Sequence, residues 1–397
     1  MENNKPVMQE QTKLWNKSYI MILVLSIFVN SASYMVTPFI TKFALSLGAP
    51  LTIATTIASL LSVSALVLRP FAGRASDKFS RKNIILIANG ISILCIVAMT
   101  QVKSVTALVI VRLMQGIAFS FTGVAMMAFN SMFIPKDRLG EGMGWMALST
   151  IVSQSVGPNL GLWIVERYGY SASFFLAALV TLIGMVIFFF IPYQKNENPS
   201  VNKFDINDFI AVRLIPYALV LALFSGGNGL ITSMLVVYGE HKGIENIGMF
   251  YTAYSTVMFL IRPISGKLVD KKGLKFVLYP SIVIASCAFF ILGSAKTLIV
   301  VVIAGILKAI GQGSGSPAIQ STALKMIGRD KAGVVSSTCY IGADVGNAIA
   351  PILGGYVAEN FGYETMFKGY AALLLVLGMT IFTIKWKYDY KKYGYMC

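Results

Sequence analysis

Long apolar runs separated by short polar breaks set the pattern of the chain from end to end. Each run is about 20 residues or longer, the length a helix needs to cross a hydrocarbon core of about 30 Å. The runs fall at 18–41, 51–72, 83–101, 104–131, 140–164, 170–192, 211–238, 244–268, 276–294, 297–322, 332–358 and 363–385. In lipid the backbone must satisfy its own hydrogen bonds, so such runs predict helices. The pattern predicts an all-α membrane protein with twelve transmembrane helices. One longer polar interruption separates six runs from six. It divides the chain into an N-terminal segment (1–17), a six-helix bundle (18–192), a linker (193–210), a second six-helix bundle (211–385) and a tail (386–397).

The two halves repeat each other at one offset. A shift of 193 residues carries Arg69-Pro70 onto Arg262-Pro263, Gly73 onto Gly266, Asp77-Lys78 onto Asp270-Lys271 and Lys82 onto Lys275. The same shift carries Pro158 onto Pro351, Gly161 onto Gly354 and Gly169-Tyr170 onto Gly362-Tyr363. An ungapped match over about a hundred residues marks a structural repeat. Each half holds an even number of spans, so the halves share one orientation. A pseudo-twofold axis along the membrane normal, with a path between the bundles, follows.

Composition agrees and removes other classes. The chain has 397 residues, 56% of them hydrophobic and 13% charged, against about 25% charged in soluble domains. The net charge of +16 resides in short loops and not on a stripe, which argues against nucleic acid. The loops on the side of the termini carry most of it, for example Arg74, Lys78, Arg81 and Lys82, then Lys267, Lys271, Lys272 and Lys275. The opposite loops hold only Lys42, Lys103, Arg167, Lys242 and Lys296. By the positive-inside rule both termini are cytoplasmic and the protein is a multi-pass component of the cell (inner or plasma) membrane. The first run is too long for a signal-peptide core and lacks a cleavage site, so no secretory signal is expected. Cys95, Cys287, Cys339 and Cys397 are scattered, and His241 is the single histidine. No metal, cofactor or catalytic constellation is expected from them.

Three motifs then carry a resemblance. Gly73 to Lys82 (GRASDKFSRK), repeated as Gly266 to Lys275, resembles the loop signature between spans two and three of the major facilitator superfamily, with Ser80 in place of a glycine. Arg112 to Gly116 (RLMQG) resembles the superfamily's RxxQG pattern in span four, and Gly144, Ser153, Gly157-Pro158 and Gly161-Leu162 resemble its antiporter motif in span five, with Ser153 and Leu162 in place of glycines. The resemblance implies a major facilitator fold of two pseudo-twofold-related six-helix bundles. It implies a secondary active transporter that moves a small molecule by alternating access, most simply by proton-coupled efflux of amphipathic drugs or metabolites. It assigns a gating role to Gly73, Asp77, Lys78, Arg81, Lys82, Gly266, Asp270 and Lys271. Export of an anionic or zwitterionic metabolite, such as an opine-type metallophore, is an alternative, as is proton-coupled import. A channel or membrane enzyme would be the other classes. The partners so implied are a small-molecule substrate, protons and the lipid bilayer, and nothing in the sequence demands more than a monomer.

The residues themselves add chemistry. Ser153, Gly157 and Gly161 share one helical face and would admit a neighbouring helix closely, with Pro158 able to bend span five and Pro351 and Gly354 as their counterparts in span eleven. Charges inside a membrane are costly and mark function. By run position three stand out: Arg112, Lys308 and Asp344. Lys308 and Asp344 fall at similar depth, roughly 17–18 Å from their span ends at 1.5 Å per residue, and a Lys308–Asp344 charge pair is the expectation. Tyr340, Asp344, Asn347 and Pro351 form one stripe on span eleven, and Ile151 stands where the repeat would put a second acid. Span one has no carboxylate, so proton coupling is expected through Asp344. The resemblance places spans one, four, seven and ten around the cavity. The candidate lining is Asn30, Tyr34, Arg112, Gln115, Gln154, Asn228, Lys308, Gln312, Tyr340 and Asn347.

Overall fold

A computed structural model describes residues 15–134, 139–191, 211–327 and 332–393, and the expected linker at 193–210 lies outside these. The described residues form twelve long helices. They are α1 (Lys17–Val36, carried on by a 3-10 turn at Thr37–Phe39 and by Ile40–Ser46), α2 (Leu51–Lys78), α3 (Arg81–Met99) and α4 (Val105–Ser131). Helices α5 (139–168) and α6 (170–189) form one continuous stretch, broken only at Gly169. Then come α7 (Ile215–His241), α8 (Met249–Lys272), α9 (Leu274–Gly293) and α10 (Leu298–Ile327). Helices α11 (332–361) and α12 (363–393) are likewise joined at Gly362.

The helices begin where side chains can satisfy exposed amides. Asn16, Ser80 and Ser104 each accept a backbone N–H at the start of α1, α3 and α4. Their outer faces remain apolar: Phe71, Leu94, Phe190 and Ile299 are all strongly exposed on the isolated chain. In water such a belt would be a liability, whereas against lipid it is the expected surface. Nine helical stretches among the described residues are long and apolar enough to cross a membrane, two of them being the merged pairs. Helix α8, whose C-terminal turns carry Arg262, Lys267, Lys271 and Lys272, is the one the composition leaves out.

The positive-φ glycines obey the repeat. Gly169 has φ 81° and Gly362 φ 84°, and they are counterparts at the 193-residue shift. A single left-handed residue reverses the chain between consecutive spans with no loop at all. A side chain there costs about 1–2 kcal/mol because its Cβ crowds the backbone. Gly362→Ala is therefore expected to lower the melting midpoint of the purified protein, although nothing would touch the added methyl. An unchanged midpoint would show that the turn relaxes freely.

Packing repeats as well. Within the first half α1 packs on α5 and α2 on α4; in the second, α7 packs on α11 and α8 on α10. The halves meet along two lines, α2 against α11 and α5 against α8. Several helices run past their predicted ends: α2 reaches Lys78, α8 reaches Lys272 and α12 reaches Tyr393. The residues from 386 to 393, read from sequence as tail, are thus helical. Asp389 is buried there, bonded to Lys385 Nζ at 2.9 Å and to the Tyr217 hydroxyl at 3.0 Å.

Candidate functional site

Two cavities lie between the bundles. The larger, about 220 Å³, is lined by Asn30 and Tyr34 of α1, Ser59 and Ser62 of α2, Arg112 and Gln115 of α4, Thr232 and Ser233 of α7, and Asn347 and Pro351 of α11. The smaller, about 20 Å³, has room for little more than a water. Tyr34, Gln154, Pro158, Asn228, Tyr254 and Lys308 are among its walls. Tyr34 joins the two, and its hydroxyl accepts a hydrogen bond from Gln154 Nε2 at 2.7 Å.

Of the predicted lining residues, Asn30, Tyr34, Arg112, Gln115, Gln154, Asn228, Lys308 and Asn347 border one or both cavities. Gln312 and Tyr340 are not among the described walls of either. Gln312 Oε1 accepts from the Tyr254 hydroxyl at 3.3 Å and from Lys308 Nζ at 2.8 Å. The Tyr340 ring lies beneath the Arg69 guanidinium, 5.4 Å from it.

The expected Lys308–Asp344 pair does not form. Asp344 instead faces Arg69 on α2: Arg69 Nη2 donates to Oδ1 at 3.0 Å, and Nε lies 2.7 Å from Oδ2. Their side chains are 27% and 10% exposed, respectively. The pair joins the two halves. Lys308, 2% exposed, donates to Asn228 Oδ1 at 3.1 Å and to Gln312 Oε1 at 2.8 Å, and its Nζ lies 4.1 Å from the Tyr254 ring centroid. The sequence expectation failed for a physical reason. Equal depth on consecutive helices does not imply adjacency, because α10 packs on α8 and α9 while α11 packs on α7 and α2.

Arg69 and Arg262 were missed as interior charges. Both sit near the ends of their hydropathy runs, but α2 and α8 continue for two to three turns beyond them. The repeat held the clue, since each is the arginine of an Arg-Pro step in the same position of its half.

Arg112 borders the larger cavity, yet three of its five N–H donors are committed. Nη1 donates to Gln115 Oε1 at 2.9 Å, Nη2 to the Ala58 carbonyl at 3.0 Å and Nε to the Ile57 carbonyl at 3.4 Å. With 1% exposure, this arginine clamps α4 to α2. Backbone carbonyl dipoles, not a carboxylate, offset its charge.

The loop-motif residues divide. The Asp77, Lys78 and Asp270 side chains lie outside the described residues. Lys82 donates to the Phe189 and Ile191 carbonyls at 2.8 and 2.6 Å, capping the end of α6 inside its own half. Arg81 Nε reaches the Ser76 carbonyl at 3.4 Å, and Lys271 is exposed. A methyl added at Gly73 or Gly266 would meet nothing, so sterics do not demand glycine at either position here. In the kink motif the glycines are tight. A methyl at Gly157 would meet Tyr34 and the Ser31 carbonyl, and one at Gly161 the Met35 backbone, while Ser153 Oγ donates to the Ile27 carbonyl at 3.1 Å. Gly354 faces Leu230 of α7. These residues let α1 and α7 approach α5 and α11 at backbone distance.

At the face opposite the termini, polar contacts tie the halves together. Lys42 pairs with Glu240. The Glu359 carboxylate accepts from Thr52 N–H at 2.8 Å and from the Thr52 hydroxyl at 2.5 Å, and Asn159 Nδ2 donates to the Thr252 hydroxyl at 2.9 Å. Glu359 lies in the last turn of α11, past the apolar run 332–358, and its bonds from Thr52 hold its carboxyl below the ordinary carboxylate range. Because the bound form is the ionised one, this lock is complete above the ordinary range and weakens as pH falls through the lowered value.

Two repeated six-helix bundles around a central polar cavity define a membrane carrier of the two-bundle type. The Major Facilitator Superfamily pattern matches residues 22–340 and again 247–392, and the chain belongs to that superfamily. Its members are transporters and not enzymes. Among similar proteins, the multidrug resistance protein MdtG of Dickeya zeae (strain Ech586) is 22% identical over 380 residues, 91% of this chain and 93% of that one. An uncharacterized MFS-type transporter of Bacillus subtilis (strain 168), YuxJ, is 25% identical over 86% of this chain and 91% of its own. Among solved structures, the nucleoside transporter NupG superposes with TM-score 0.73 at 14% identity, over 93% of this chain and 99% of that one. A POT family transporter in complex with 5-aminolevulinic acid gives 0.78 at 13%, over 93% and 96%. At such identities these two establish the fold alone.

Proposed function

We propose that this carrier works by alternating access as a proton-coupled exporter of amphipathic small molecules, with Asp344 as the coupling residue and both termini in the cytoplasm. The observation that carries the reading is the Arg69–Asp344 pair, an ion pair in the interior tying α2 of one half to α11 of the other. Protonation of Asp344 removes one charge of the pair and weakens the tie between bundles. Release of the proton restores it, so proton binding and bundle movement are linked. The position of the pair supports this. It lies about 25 Å along α2 from Thr52, by helical rise, so it is well separated from the locks on the opposite face. The basic loops support the orientation, and the names of the MdtG relatives support export of drug-like cargo.

Purified protein in proteoliposomes should take up such cargo saturably when a pH gradient is imposed, and a protonophore should abolish the uptake. Ohmic conductance in place of saturable flux would identify a channel. The lock on the face opposite the termini offers a second measurement. In a background without the four native cysteines, Thr55→Cys lies beneath Gly355 and is shielded. Combining Glu240→Gln with Glu359→Ala should raise its labelling by a membrane-impermeant maleimide severalfold. Equal labelling with the locks intact and removed would argue that they do not hold this face shut.

A further inference from the structure

The repeat preserves the arginine and drops its acid. Arg69 and Arg262 are counterparts, but the position equivalent to Asp344 in the first half is Ile151. Arg69 is therefore neutralised by Asp344, whereas among the described residues no carboxylate pairs with Arg262. Its Nε is buried without a hydrogen-bond acceptor. Arg262 lies within electrostatic reach of Tyr34, Tyr254 and Tyr340, at the interface between halves. Arg262 as a whole is half-buried; on the adjacent α10, Lys308 is fully buried, lies over the Tyr254 ring and, among the described residues, is bonded only to the neutral oxygens of Asn228 and Gln312.

We propose that Arg262 and Lys308 form an anion-binding site on either side of Tyr254, and that the cargo carries a carboxylate or a comparably acidic group. This deepens the transport reading above and rests on it for the assumption that the central cavity is the cargo path. A buried cation without a counter-charge, as Lys308 is, costs several kcal/mol, and a ligand that supplies the missing charge recovers that cost; the half-buried Arg262 adds a second cation to the same site. Arg112 is buried and held to α2 by the bonds described above, and Arg69 is held by Asp344. The guanidinium of Arg262 suits the two oxygens of a carboxylate, and Lys308 suits a single oxygen. Tyr254 and Arg262 are eight residues apart on α8, about 12 Å by helical rise. The smaller cavity beside Lys308 holds little more than a water in this conformation, so an elongated molecule with its acidic end on one of these cations would extend into the larger cavity that Tyr34 joins to it. One break in the repeat thus yields two functions: the first-half arginine as part of a switch, the second-half arginine as part of a ligand site.

Paired probes differing only in charge test this. Dansylglycine carries a carboxylate and dansylglycinamide does not. Binding of each to the full-length protein in nanodiscs can be followed by fluorescence anisotropy. Dansylglycine should bind about tenfold or more tighter, the scale of one charge-assisted hydrogen bond. Lys308→Met and Arg262→Gln should each remove most of that preference, read as the ratio of the two affinities. The two variants lie on different helices, so misfolding of one leaves the other informative. Equal affinities in the wild type, no saturable binding of dansylglycine, or a preference that survives both substitutions would overturn the anion site. A lost pH-gradient-driven flux with the preference intact would strike the coupling reading instead, and the converse result would strike only the anion site.

Discussion

Asp344→Asn is expected to abolish uphill, proton-driven flux while leaving substrate exchange down its own gradient. Asparagine keeps the shape of the side chain and can still accept a hydrogen bond from Arg69, so the α2–α11 contact persists. What disappears is the ability to gain and lose a proton at that contact, and with it the link between pH gradient and bundle movement. The stability loss should be moderate. Breaking a fully buried ion pair costs about 3–5 kcal/mol, but Arg69 is 27% exposed and keeps part of its hydration, so about 1–2 kcal/mol is the expected scale. Arg69→Gln should be the more damaging single change to the pair, because it leaves a carboxylate largely buried without its cation. The double variant should be more stable than the sum of the two single losses predicts, the signature of a direct interaction. Proteoliposomes with an imposed pH gradient read the first effect, and counterflow of labelled substrate reads the second. Wild-type accumulation by Asp344→Asn would sink the coupling assignment outright.

Gly161→Ala is expected to destabilise the fold by about 1–3 kcal/mol, the cost of forcing a methylene-sized group into a filled contact. The added methyl would meet the Met35 backbone, which cannot rotate away as a side chain could. Gly342 and Gly346 make the same kind of contact with Ala218 and Ala222 of α7, so alanine there should behave alike. Gly73→Ala is the control. It lies in the C-terminal turns of α2 with open space around it, and alanine should be neutral or stabilising by about 0.5–1 kcal/mol, since glycine is the poorer helix former. Thermal denaturation followed by size-exclusion elution separates the two. Equal midpoints for Gly161→Ala and Gly73→Ala would mean that α1 and α5 can part at little cost. A loss of flux in Gly73→Ala without loss of stability would point instead to a role for that loop in another conformation of the transport cycle.

The resemblance gave both glycine groups functional roles, and geometry separates them. The span-five residues lie at a helix crossing, where the sequence signal of small residues at i, i+4 and i+8 has a direct steric meaning. The loop glycines carry no such meaning in this conformation. Their counterpart in demanding backbone geometry is Gly273, at φ 82°, where the first half has Ser80 capping α3 through Asn83 N–H. The two halves thus solve the same turn by different chemistry, which explains why the signature departs at that position.

The sequence by itself determined the class, the number of helices and the twofold relation of the halves. These follow from run length, polar spacing and a constant offset, all of which are local or periodic properties of the chain. Most of the polar residues it singled out as lining do border a cavity, because polar side chains within apolar runs have few other places to go. Tertiary structure alone decided which charges meet. Asp344 found Arg69 and not Lys308, because partnership depends on which helices pack together, a choice made by shape over hundreds of residues and not by depth along one helix. The same packing spent Arg112 on the carbonyls of α2 and left Arg262 and Lys308 without an acid, since helix ends reach beyond their apolar runs and carry charges inward that a hydropathy count assigns to the surface.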